Sequence, residues 1–244
     1  MSTENTTVFK KENLDQCLKE LAKEYKRLVK NMPAEIVLVG GAAILENYGF
    51  RDMTTDVDAV IEASSAMRDA IRTVGDRLGL PYGWLNADFK NTGSYTPRLR
   101  QYSTHYRTFS NILEIRTVSA EYLIAMKLRS GRKYKNDLSD VIGILAEHEQ
   151  RGTPLTWEQI DRAAHDLYDG WDAFPADSVR FIQDALRDRN YAQAYDTIRA
   201  GERSAKELLV DFQEEYPDTL KQENVNSVLQ SLERLKKQRN DPER

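Results

Sequence analysis

The sequence predicts an α+β fold, with a mixed sheet flanked by helices over residues 1–150 and a C-terminal helical bundle over residues 151–244. The run Ile36-Val37-Leu38-Val39 and the segment from Asp56 to Ile61 have the length of buried strands and are bounded by turn residues. Between them and around them, apolar residues recur at three- and four-residue steps, the spacing of helices that pack on a sheet. Beyond Gly152-Thr153-Pro154 only the helical spacing continues, so that cluster marks the expected boundary.

Each element has its own signal. Residues 1–8 read as a loose tail. Leu14, Leu18, Leu21, Tyr25 and Leu28 form one stripe of a helix from Asn13 to Lys30, and Cys17 falls on that stripe. Pro33 precedes the first strand. Met67, Ile71, Val74 and Leu78 mark a helix over 64–78 with Ser64 or Ser65 at its start. Residues 82–111 are rich in aromatics and arginine and show no period. Asn111 to Thr117 alternates as a strand. Helices are expected over 119–129, where Ser119 is placed to cap, and over 137–148. Four more follow: from Thr156 to about Leu167, 177–187, 191–209 and 225–237, with fraying from Asn240.

Composition narrows the function. A net charge of −4 makes the whole chain a poor polyanion binder, so any nucleic-acid contact must come from a local basic patch. The single cysteine excludes an internal disulfide and a cysteine zinc site, and three scattered histidines argue against a histidine cluster. The polar start MSTENTTVFKKENLD and the absence of a long apolar run fit a cytoplasmic protein of bacterial type that does not enter a membrane.

The chemistry gathers between Val37 and Ile61. Gly40-Gly41 directly after a strand allows a sharp turn and a close approach to the main chain. Asp56 and Asp58, two apart in a strand, share one face. Two like charges on an otherwise apolar strand repel unless a cation neutralises them, although a solvated polar face would read the same way. Beside a helix N-terminus the pair suits Mg²⁺ or Mn²⁺ and a triphosphate.

Gly-Gly, a short helix, and Arg51-x-x-Thr54-x-Asp56-x-Asp58 resemble the nucleotidyltransferase superfamily of polymerase-beta-like fold. Within it the segment VGGAAILENYGFRDMTTDVDAVI is most similar to the branch of AbiEii-type toxins and DUF6036. The resemblance implies a nucleotidyltransferase-like sheet over about the first three-fifths of the chain. It implies transfer of an NMP from an NTP to an acceptor hydroxyl, with tRNA or another RNA as an acceptor. It also implies a toxin's place in a toxin–antitoxin or phage-defence pair, with a cognate antitoxin as partner.

Residue by residue, the resemblance puts Gly40, Gly41, Arg51, Thr54 and Lys127 on the nucleotide and Asp56, Asp58, Lys127 and Asp137 in catalysis. The family often has Ser where Gly41 stands. Lys127, in Leu123-x-Ala125-x-Lys127-Leu128, would meet the phosphates, within salt-bridge range of Asp56, Asp58 or a bound anion. On the residues alone it could equally snorkel from core to solvent. Asp137 and Asp140 lie on one helix face, where Asp137 could also be a simple cap. For the third carboxylate, a metal ligand or base, the candidates are Glu114 and Asp88, the latter after Trp84-Leu85-Asn86, and the alternative is that the two strand acids work without a third. Arg98, Arg100, Arg107, Arg129, Arg132, Lys133 and Lys135, interleaved with Tyr95, Tyr102 and Tyr106, could form a basic rim. Two other readings stay open: a non-catalytic nucleotide-binding protein on the same fold, and an aminoglycoside-type small-molecule nucleotidyltransferase.

Overall fold

The computed structural model describes residues 8–221 and 223–240. The expected loose tail, apart from Val8, and the expected fraying end beyond Asn240 lie outside them. Strands β1 (Ala34–Leu38), β2 (Val57–Glu62), β3 (Leu85–Asn86), β4 (Ser103–Phe109) and β5 (Leu113–Val118) form one mixed sheet in the order β3-β2-β1-β5-β4. β1 runs antiparallel to β2 and parallel to β5. Alternation gives the sheet two unlike sides. Ile36, Leu38, Val57, Ala59, Leu113 and Ile115 are all fully buried on one. Asp58, Glu62, Glu35, Glu114 and Arg116 stand on the other, as the strand register requires.

Helices α1 (Lys11–Val29) and α3 (Ala66–Leu78) pack on one another. Of the stripes read from the sequence, Leu14, Leu18, Leu21 and Tyr25 are fully buried in the same core as Met67 and Val74, whereas Leu28 and Leu78, at the helix ends, are exposed. Helix α2 (Gly40–Asn47) leaves the end of β1, and α4 (Ala120–Ser130) leaves the end of β5. Ser119 occupies the N-cap of α4, but its hydroxyl donates to Glu121 and does not cap the backbone.

The remaining helices are α5 (Asp137–Gln150), α6 (Trp157–Tyr168), α7 (Ala176–Asp188), α8 (Tyr191–Glu215) and α9 (Val225–Asn240). Thr156 and Gln159 form a capping box at α6, as the sequence suggested for Thr156. No strand follows Gly152 among the described residues, yet the main core continues across it and takes in Ile160, Leu167, Phe174 and Ile182. Trp157 stacks on Trp171 at 5.2 Å, and the Tyr168 hydroxyl donates to the Ser94 carbonyl at 2.6 Å. Tyr168 therefore ties α6 to the sheet domain, and the Trp157–Trp171 stack lies within the helical part. A second, smaller core between α8 and α9 includes Leu209 and Leu229 and packs against Tyr134. No helix among the described residues is long and apolar enough to cross a membrane.

Candidate active site

The site forms where β1 ends beside the start of β2. The Val39 N–H donates to the Asp58 carbonyl at 3.0 Å, and the chain then turns into α2. Gly40 sits at φ +55°, a left-handed conformation that side chains with a Cβ rarely adopt. A Cβ there would lie 3.6 Å from Asp58 Oδ2, so the turn and the carboxylate are in contact. At Gly41 a Cβ would come within 2.7 Å of Thr54 Oγ1 and 2.9 Å of Arg51 Nη2. The serine that the resemblance often puts here has no room, because the Arg51 guanidinium fills its place. α2 starts without a side-chain cap, which leaves its first N–H groups unmatched within the helix.

Asp58 lies opposite Asn86 in the β2–β3 register, and Asp56 immediately precedes β2. Thr54 is buried and donates to the Asp56 carbonyl at 3.1 Å, so its hydroxyl holds the acid's backbone. Burial and then the neighbouring Asp56 push the Asp58 carboxyl above the usual range. The Asn86 amide and Arg132 act against that rise, and Asp88 adds to it. Asp56, Asp58 and Asp88 form no ion pair among the described residues.

Behind the strand acids lies a closed ionic cluster. Lys127 pairs with Asp137 at 2.9 Å and with Asp140 at 2.8 Å. Arg51 Nη1 reaches both oxygens of Asp140, at 2.9 and 2.7 Å. Arg132 holds Asp137 through Nε at 2.8 Å and Nη2 at 3.2 Å. Both acids are buried, Asp137 fully. Burial opposes the charge on Lys127, but Asp137 and Asp140 outweigh it and hold its protonated form above the usual range. Burial likewise opposes the Asp137 charge, and Lys127 with Arg132 outweighs that, holding the carboxyl far below its usual range.

The expectation that Lys127 reaches Asp56 or Asp58 is therefore corrected. Its ion pairs among the described residues are with the two α5 acids, and it does not point to bulk water. Arg51 borders the Gly-Gly turn, and the charge of Arg132 is felt by Asp58.

The start of α5 is itself held from α8. The buried Glu202 carboxylate accepts from the Leu138 and Ser139 N–H groups at 3.0 and 3.2 Å and from Ser139 Oγ at 2.5 Å. Phe50 wedges the loop before Arg51 against α5, where a Cβ on Gly143 would meet its ring at 2.4 Å.

Glu114 does not join the site. It is level with Glu35, four residues before Val39, which meets Asp58, so it lies roughly 13 Å away along the strand, and it pairs with Arg116 at 2.7 Å. Asp88 is the acid that lies near Asp58. The basic rim is dispersed: Arg98 is paired with Asp169, Arg100 with Glu35 and Glu62, and Arg107 with Asp15. Of that set, Arg132 alone is in the ionic cluster. Sequence reasoning gave it no role of its own, and it passed over Asn86 and Glu202. The Trp84-Leu85-Asn86 segment was a signal for Asn86, whereas nothing local marks Glu202.

A family described as nucleotidyltransferase of unknown function (DUF6036) matches residues 16–169, from α1 to the end of α6. The chain belongs to that family. The DUF6036 match takes in the Gly-Gly turn, both strand acids and the whole of α5, and ends before Glu202. No curated protein and no solved structure matches the chain.

Proposed function

We propose that this nucleotidyltransferase moves an NMP from a metal-bound NTP to an acceptor hydroxyl. The observation that carries the reading is the pair of unneutralised acids, Asp56 and Asp58, against the left-handed Gly40 turn and beside two anchored guanidiniums. Two adjacent carboxylates suit Mg²⁺ or Mn²⁺. No cluster of three or more His, Cys, Asp or Glu residues fit to hold a metal is found among the described residues, so donor phosphates and water would complete the shell. When bound, the metal supplies positive charge to the phosphates.

The chain's own groups have distinct tasks. The first N–H groups of α2 and the free edge of Arg51 receive the donor phosphates. Asp140 orients Arg51, Asp137 orients Arg132, and Lys127 keeps both acids charged; these three are positioning residues. The acceptor oxygen bonds to the α-phosphorus as the bond to the β-phosphate oxygen breaks. Pyrophosphate leaves, and the hydroxyl proton passes to a carboxylate, a role we assign to the exposed Asp88, whose charge is felt by Asp58.

An RNA acceptor such as tRNA, and a place in a bacterial toxin–antitoxin or phage-defence pair with an antitoxin partner, rest on the resemblance to AbiEii-type toxins. The decisive experiment incubates the protein with each labelled NTP, Mg²⁺ and total RNA. Label in RNA, lost with Asp56→Asn and Asp58→Asn, supports the reading. Binding of NTP with no transfer to any acceptor would favour the second reading, a nucleotide-binding protein without turnover, which Glu114's remoteness keeps in play.

A further inference from the structure

Positive charge gathers in a hollow separate from the strand acids, and among the described residues only Arg132 of its three cations is paired, with Asp137. A cavity of about 440 Å³ opens between the loop after β3, the end of α4 and the α8–α9 turn. Arg129, Arg132 and Lys221 line it together with Ser94, Ser130 and Tyr134, and no acidic residue lines it. Arg129 forms no ion pair among the described residues, and its Nε is buried without a hydrogen-bond partner. A buried donor left unmatched costs about 1–3 kcal/mol, and more when charged.

The first turn of α9 adds to this. Val225 and Asn226 line the same cavity, so the positive end of a 16-residue helix opens on it. Asn224, just before that turn, spends its side-chain oxygen on the Lys221 N–H at 2.8 Å rather than on the helix. Two cations without an ion pair among the described residues, Arg129 and Lys221, together with hydroxyl donors and a helix N-terminus, suit a phosphate group.

Gly40, Gly41, Asp56 and Asp58 are not in its lining. The hollow meets them through Arg132, which bonds Asp137 and whose charge is felt by Asp58. The hollow is thus distinct from the Gly-Gly turn that the proposed function gives to the donor triphosphate.

We propose that this cavity binds a phosphate ester of the acceptor, so that the acceptor is a phosphorylated molecule whose phosphate sits between Arg129, Lys221 and the start of α9. The proposal rests on the nucleotidyl-transfer reading for the word acceptor, but not for the binding itself. It also gives the α8–α9 hairpin a task, since the smaller core fixes that hairpin beside Tyr134.

The test is calorimetric titration of the full chain with inorganic phosphate, adenosine 5′-monophosphate and adenosine. The monophosphate should bind at least tenfold more tightly than adenosine and more tightly than inorganic phosphate. Arg129→Gln with Lys221→Gln should lose at least tenfold in monophosphate affinity while keeping Mg²⁺–NTP binding. Lys221→Glu alone, at an exposed turn position, should weaken the monophosphate without lowering the melting temperature, which guards against a fold defect at Arg129. Asp56→Asn with Asp58→Asn should retain monophosphate binding.

Unchanged affinity in both Arg129/Lys221 variants overturns the proposal. So does loss of monophosphate binding in the Asp56/Asp58 variant, which would place the anion at the donor site. Tighter binding of inorganic phosphate than of the ester would make the cavity a free-anion site and overturn the acceptor role. If the strand-acid variant loses neither metal nor NTP binding while the cavity behaves as stated, the transferase reading fails and the phosphate site stands.

Discussion

Two groups of aspartates sit side by side in this molecule and have opposite electrostatics. Asp137 and Asp140 are buried, and each is held by two cationic side chains among Lys127, Arg51 and Arg132. Asp56 and Asp58 have no cationic side chain in ion-pair range among the described residues, and the half-buried Asp58 holds its proton more tightly than an ordinary carboxyl. The first group has spent its charge inside the protein. The second still has charge to spend on something that binds. Two closely spaced pairs of the same residue type, far apart in sequence, thus divide into scaffold and chemistry according to what folding brings beside them.

The scaffold side of that contrast should break hardest. Lys127→Met leaves Asp137 and Asp140 short of a buried cation, which costs about 3–5 kcal/mol. For a chain of this size that lowers the melting temperature by on the order of 10 °C. An unchanged melting curve would mean that the cluster is not the closed unit described here.

Glu202 tests whether the scaffold extends into α8. Burial pushes its carboxyl up to about 7 despite three donors. Because the folded value lies above the ordinary carboxylate value, the folded state binds the extra proton between roughly pH 4.5 and 7, and stability falls as pH rises through that window. The contribution is roughly 3 kcal/mol at its largest. Chemical denaturation at pH 5 and pH 7 should show the fall, and Glu202→Gln should flatten it. An equal slope in the variant would assign the effect elsewhere.

Gly143→Ala probes the contact that brings Arg51 to Asp140. The added methyl collides with the Phe50 ring, and such overpacking costs about 1–3 kcal/mol, partly offset by the better helix propensity of alanine. A net loss of about 1 kcal/mol should accompany weaker NTP binding. Loss of stability with NTP affinity intact would separate Arg51 from the nucleotide.

The chemical side should show the smallest structural effect. Asp58→Asn removes a crowded charge that no cationic side chain pairs, so stability should stay within about 1 kcal/mol of the parent or rise. Its signature is functional: the Mg²⁺-dependent melting shift with NTP should vanish. A large destabilisation without ligand would place Asp58 with the scaffold acids instead.

Much of the fold was legible because periodicity is a local property of the backbone. The stripe of α1, the alternation of β5 and the capping box of α6 all follow from neighbours a few residues apart. The turn at Gly40-Gly41 and the proximity of Asp56 to Asp58 are local in the same way, so the sequence by itself determined the centre of the candidate site. It did not show β4, whose ends alone, Ser103 and Phe109, are buried. An exposed edge strand need carry no apolar alternation, and its partner β5 supplies the hydrogen bonds. Tertiary structure also decided what each charge is for. Arg51 meets Asp140 across 89 positions, and Glu202 reaches Leu138 across 64. Glu114, on a strand and close in sequence to Lys127, ends at the far end of the sheet from Asp58 because register puts it beside Glu35. Spacing says which carboxylates share a face, but only burial and long-range pairing decide which of them are neutralised, since charge compensation depends on distances that the chain fixes by folding.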